Sequence, residues 1–119
     1  MRNFREMDIW KKAITFSKSI YELSSTFPEK EKYGLTSQIQ RAVVSIPSNI
    51  AEGSSRSSQA DFSRYLEIAL GSAFEVETQM TLAKEIGYIN NDQFAKNLEE
   101  LTILQKQINH LITIIRKSK

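Results

Sequence analysis

Apolar residues recur along this chain at intervals of three and four, the spacing that lays a stripe along one side of an α-helix. Ile9, Ala13, Phe16, Ile20, Leu23 and Phe27 form the first series, which stops at Pro28. Asn3 followed by Glu6 has the form of a capping box, so a first helix is predicted over about residues 4–27. Leu35, Ile39, Ala42, Val43, Ile46 and Ile50 predict a second helix over about 35–53, with Gly53 placed to end it in a left-handed conformation. Ser58 and Asp61 open a third series of Phe62, Tyr65, Leu66, Ala69, Ala73, Val76, Met80 and Ala83, which predicts a helix over about 58–87. Asn90 and Gln93 precede Phe94, Leu98, Leu101, Leu104, Ile108, Leu111, Ile112 and Ile115, predicting a fourth helix over about 91–117. No stretch alternates with a period of two, so strands are not expected. Four amphipathic helices joined by short loops imply an all-α fold, an antiparallel up-down-up-down four-helix bundle, as a single domain over residues 1–119.

Three departures from this simple pattern matter. Trp10, Ile14 and Tyr21 flank the first stripe, and Ile68, Leu82 and Ile86 form a second patch on the third helix, so both helices carry more apolar surface than one core needs. That surplus points to a homo-oligomer. Gly71, Ser72 and Ala73 offer a small-residue stretch where another helix can approach. Pro47 falls inside the second helix, where it removes a backbone donor and crowds the carbonyl four residues back at a cost of about 3 kcal/mol. The expectation is a bend within a continuing helix, with freed carbonyls satisfied by Ser or Asn side chains.

Opposite polarity gathers on the same helix. Gln38, Arg41, Ser45, Asn49 and Glu52 line a seam beside its apolar face, and the seam is expected to meet the third helix around Ser72, Glu75 and Glu77. Glu75 or Glu77 would pair with Arg41, and Arg56 or Arg64 with Glu52. A buried polar network that fixes helix register is one reading; a ligand or partner site beside the loosened backbone at Pro47 is the other. On the first reading Arg41→Ala would destabilise the fold by about 2 to 4 kcal/mol through an unpaired buried carboxylate.

Charge modifies the picture through its distribution. Sixteen Lys and Arg against fourteen Asp and Glu leave a formal +2, too little to argue for nucleic acid. Both termini are nevertheless basic, and Arg2, Arg5, Lys11, Lys12, Arg116, Lys117 and Lys119 are candidate phosphate contacts for RNA or another nucleic acid. Seven carboxylates against two lysines make residues 67–100 an acidic block. The chain has no cysteine and one histidine, His110, which lies opposite the core stripe of the fourth helix. No metal site, cofactor or catalytic residue is therefore expected, and the chain is not expected to be an enzyme. A hydrolase built on Glu52 or Glu75 would require a closed pocket that perturbs the carboxyl. Neither a secretory signal nor a stretch of about 20 apolar residues is present, so a cytoplasmic protein with no membrane partner is expected.

The run from Gln38 to Gly53, ending SIPSNIAEG, followed by Asp61-Phe62, Tyr65-Leu66, Ile68-Ala69, Gly71-Ser72 and Glu75-Val76-Glu77, resembles the 23S ribosomal RNA intervening-sequence proteins. Trp10-Lys11-Lys12-Ala13 and Ile86-Gly87-Tyr88 extend the likeness over nearly the whole chain. The resemblance implies a small four-helix bundle whose genes often sit inside insertions in bacterial large-subunit rRNA genes. Relatives form ring-like pentamers, so a pentamer is implied here. The similar accessory protein of diversity-generating retroelements binds nucleic acid and a reverse transcriptase through a basic surface, which implies the same class of partner for an oligomer of this chain.

Overall fold

The computed structural model describes residues 2–117, which form four helices: α1 Asp8–Ser24, α2 Leu35–Ser54, α3 Gln59–Glu85 and α4 Asn91–Lys117. Two short 3-10 turns, Phe4–Glu6 and Glu29–Glu31, precede α1 and α2, and the described residues contain no strand. Consecutive helices pack side by side, α1 and α4 close the square, and the backbones of the diagonal pairs do not approach one another. Side-chain contacts set the directions. Ser24 meets Gln40 and Ser17 meets Val43 between α1 and α2; Ser72 meets Ser45 and Phe62 lies against Gly53 between α3 and α2. Glu77 meets Gln105 and Glu67 meets Arg116 between α3 and α4. In each pair one number rises as the other falls, so the bundle runs up-down-up-down.

The predicted stripes are the core. Phe16, Ile20, Ile39, Ile46, Leu66, Met80, Leu101 and Ile108 are shielded from solvent. Each such large side chain contributes about 1.5–3 kcal/mol by leaving water. Helix starts follow the caps: Ser58 Oγ accepts from Asp61 N–H, and Asn90 and Gln93 exchange two bonds of 2.8 Å in a reciprocal capping box. Gly87, at φ +84°, ends α3; its N–H reaches Lys84 O and that of Tyr88 reaches Ala83 O, the paired bonds of a left-handed helix stop.

α1 is shorter than its stripe predicts. Asn3 does cap a turn, but that turn is 3-10, and Met7 is extended at ψ 129° before the α-helix begins. The break lets Phe4 fold back onto Trp10, ring centroids 5.1 Å apart, and lets Arg2 reach the α2–α3 connection. At the other end Ser24, Ser25 and Thr26 hydroxyls donate to the carbonyls of Tyr21, Glu22 and Leu23, competing with helix continuation. Phe27 still reaches the core.

α2 runs unbroken through Pro47, whose ring is buried. The carbonyl it deprives is that of Val43; Ser17 Oγ lies 3.3 Å from it across the α1–α2 interface and 2.7 Å from Ala13 O one turn back, so its single proton is shared between them with Ala13 O the closer acceptor. Gly53 does not end α2. It lies within the helix, and a Cβ there would fall 2.6 Å from Tyr65 Cβ and 3.1 Å from Phe62 Cδ1. Its role is close approach of α2 to α3. Gly71, by contrast, faces open space, with nothing within 4 Å of a Cβ built there.

Candidate functional site

The α2–α3 seam brings together part of the predicted polar set. Ser72 Oγ donates to Ser45 Oγ at 2.8 Å, and Asn49 Nδ2 donates to Ser45 O and Oγ at 2.8 and 2.9 Å. Gln38, Arg41, Ser45, Ser72 and Glu75 border a groove of about 320 Å³ outside that small network. Arg41, Gln38 and Glu75 are exposed, and among the described residues Arg41 makes no ion pair. The expected buried partnership of Arg41 with Glu75 or Glu77 is therefore not formed. Solvent at the groove hydrates both charges, and Glu77 turns to α4, where it accepts from Gln105 Nε2 at 2.9 Å.

Glu52 pairs with Arg56 one turn on, at 2.9 Å, rather than with Arg64. The same guanidinium donates to Tyr65 Oη at 2.7 Å and covers that ring, which ties the end of α2 to α3. Neither carboxylate proposed for hydrolysis sits in a closed pocket: Glu52 is ion-paired at the surface and Glu75 faces water. His110 is exposed on α4. Among the described residues no three His, Cys, Asp or Glu side chains cluster as metal ligands would, and no helix is long and apolar enough to cross a membrane.

The basic candidates divide into two sets. Arg2 is occupied, donating to Arg56 O at 3.1 Å and to Gln59 Oε1 while its guanidinium lies 4.1 Å from the Phe62 ring centroid. Arg116 is paired with Glu67 at 2.8 Å, and Arg5 rests over Phe4. Lys11 and Lys12 are exposed beside Glu100 and Ile103 in the α1–α4 groove, roughly 20 Å along α4 from Lys117 at 1.5 Å per residue. Lys119 lies outside the described residues. The docking of Arg2 on the α2–α3 connection was not legible in the sequence, because it depends on the Met7 break.

Part of the surplus apolar surface occurs where the flanking stripes place it, and part at Val44, Phe74, Ile103 and Ile114, which the stripes do not single out. Phe4, Trp10, Ile14, Val44 and Pro47 line an apolar groove of about 330 Å³ between α1 and α2, with Ile14 and Val44 partly open to water. Ile68 and Leu82 on α3 and Ile86 at its C-cap are each about half exposed, and so are Phe74 on α3 and Ile103 and Ile114 on α4. Beyond Val44 the α1–α2 face changes character. A larger cleft of about 630 Å³ there is lined by Tyr21, Lys32, Tyr33, Ser37, Gln40 and Arg41. Tyr33 is 89% exposed. An aromatic residue placed between lysine and glycine in a polar loop was the one available sequence signal for this cleft, and turn chemistry alone does not single it out.

Fold and surface together define a small all-α bundle with a small hydrogen-bonded cluster of Ser45, Asn49 and Ser72 between α2 and α3 and polar and apolar grooves on its outer faces. The chain belongs to the 23S rRNA-intervening sequence protein family, whose family model matches residues 5–110, in agreement with the likeness of the Gln38 to Gly53 run. It is similar to a solved structure described as a protein of unknown function from the S23 ribosomal protein family of Bacteroides thetaiotaomicron VPI-5482. That likeness has 30% sequence identity and a TM-score of 0.82, covering 87% of this chain and 97% of the other. No curated protein matches the chain.

Proposed function

We propose that this protein acts by association and not by catalysis, as a bundle that self-assembles head to tail. The observation that carries the reading is apolar surface on two separate sides of one protomer: the α1–α2 groove at Ile14 and Val44, and the α3 side, where Leu82 and the C-cap Ile86 lie together and Ile68 lies roughly 21 Å along the helix. Each leaves apolar area in water that costs about 25 cal/mol per Å². A groove on one copy and an apolar patch on the next cover both faces with one repeated contact, and such heterologous contacts give a ring where the rotation between copies closes and a filament where it does not. Family resemblance sets the proposed ring at five copies, and the lack of cysteine supports, on this reading, a place in the cytoplasm. Sedimentation velocity at micromolar concentration is expected to give a single species several times the 13.7 kDa chain mass. A monomer across that range would overturn the reading.

A second reading, nucleic-acid binding through a basic surface of the oligomer, is supported by the exposed Arg5, Lys11, Lys12 and Lys117. A ring repeats these cations on each copy and so concentrates charge that is dilute on one chain. RNA affinity that falls steeply with salt is expected, and absence of binding at low salt would remove this reading.

A further inference from the structure

We propose that the cleft formed by Tyr21, Tyr33, Lys32 and Arg41 binds single-stranded nucleic acid, with bases stacking on the two tyrosines and adjacent phosphates facing the two cations. This site is separate from the terminal cations and does not depend on self-association.

Four observations lead there. First, neither tyrosine ring packs on another aromatic ring among the described residues, and Tyr33 is almost wholly in water. A large ring held in solvent at the edge of a cleft presents a free π-face, which any base can stack on. Second, none of the cleft's lining residues is acidic, while Lys32 and Arg41 both are cationic and ion-pair with nothing in the described chain. Lys32 Nζ lies 5.5 Å from the Tyr33 ring centroid, so charge and stacking face are adjacent. Third, of the nearby carboxylates only Glu75 approaches, across the adjoining α2–α3 groove that Arg41 also borders and without an ion pair to it, and the others are turned elsewhere. Glu31 accepts from Leu35 N–H and Tyr88 Oη, and Glu22 lines the groove between α1 and α4. Fourth, Ser37, Thr36 and Gln40 supply hydroxyl and amide groups along the floor, suited to sugar and base edges.

The openness of the cleft decides between a free nucleotide and a strand. Small-molecule sites enclose most of their ligand. A cleft whose principal aromatic is 89% exposed cannot do so. A strand gains instead from several weak contacts in series, and from one cleft per copy if the protein assembles. Duplex is disfavoured because its bases are already stacked.

The test is fluorescence anisotropy of short labelled oligo-uridine and oligo-thymidine with the full chain, with light scattering on every variant. Tyr33→Ala is expected to weaken single-strand binding roughly tenfold, and Tyr33→Phe, which keeps the stacking face, to bind as the parent does. Lys32→Gln and Arg41→Gln are each expected to lower the salt slope by roughly 0.7. All four side chains are off the core, so the variants fold; circular dichroism checks this, and unchanged light scattering separates loss of this site from loss of assembly. Equal binding by Tyr33→Ala and parent, equal affinity for duplex, or an affinity for uridine monophosphate matching that for the oligomer would each overturn the proposal.

Discussion

Ser17 and Pro47 sit on facing helices and form a functional unit that neither helix reveals alone. The hydroxyl of Ser17 reaches Val43 O, which Pro47 leaves without its helical donor, at 3.3 Å, while also lying 2.7 Å from Ala13 O in its own helix. Ser17→Ala is expected to cost about 1 kcal/mol in chemical denaturation, the usual worth of a net hydrogen bond. The cost should shrink in a Pro47→Ala background, where the restored N–H reaches Val43 O, and equal costs in both backgrounds would show that the two residues are not coupled. Glycines make an opposed pair at the same scale. Gly53→Ala drives a methyl into Tyr65 and Phe62 and should cost about 1–3 kcal/mol. Gly71→Ala meets open space inside a helix and should stabilise by about 0.5–1 kcal/mol, a gain readable as a raised denaturation midpoint. Arg41→Ala, with its guanidinium in water, is expected to change stability by less than about 0.5 kcal/mol rather than by the amount a buried pair implies. A polar residue at helical spacing marks a seam, but spacing does not say whether the seam is deep or at the rim.

Two connections at one end of the bundle are clasped together, and their bond carries a pH dependence. Glu31 accepts from Leu35 N–H at 3.0 Å, serving as the cap of α2 that Gly34 cannot supply, and from Tyr88 Oη at 2.7 Å. The bond from the Leu35 N–H, then that from Tyr88, lowers the Glu31 carboxyl below its ordinary value. Held by that carboxylate, the Tyr88 hydroxyl is raised above its own. A depressed carboxyl contributes stability that is present above the unfolded value and lost as pH falls through the folded one; a raised tyrosine contributes stability lost as pH climbs from its ordinary value toward the raised one. The thermal unfolding midpoint should therefore fall on both sides of a neutral plateau. Glu31→Gln should flatten the acid limb, and an unchanged acid limb in that variant would dissociate it from this clasp. The helix ends were unevenly legible. Ser58, Asn90 with Gln93, and Gly87 are local signals that act within one turn, so their sequence reading holds. Asn3 is a cap as well, yet it serves a 3-10 turn, because Phe4 and Arg2 have tertiary partners that draw the chain out of line at Met7.

At the scale of the whole molecule, the proposed head-to-tail contact separates groove from patch, and mixing can test it. Val44→Glu should disable the groove and Leu82→Glu the α3 patch, leaving each variant monomeric alone. An equal mixture should form a dimer and nothing larger, since only one intact groove and one intact patch can meet. No association in the mixture would point to a like-to-like interface. What the sequence by itself determined is the class of fold: the apolar periodicity, four segments long and punctuated by Pro28, the serine-rich connection and Gly87, leaves an antiparallel bundle as the simplest way to bury every stripe. It also placed part of the surplus apolar surface outside the core, because helical geometry assigns a side to each position. Tertiary structure alone decided which polar groups meet. Ser17 with Val43 O, Glu31 with Tyr88, Arg2 with Arg56 and the open cleft at Tyr33 join residues on different elements, and their distances depend on how the helices are set against one another, which no single-helix period contains.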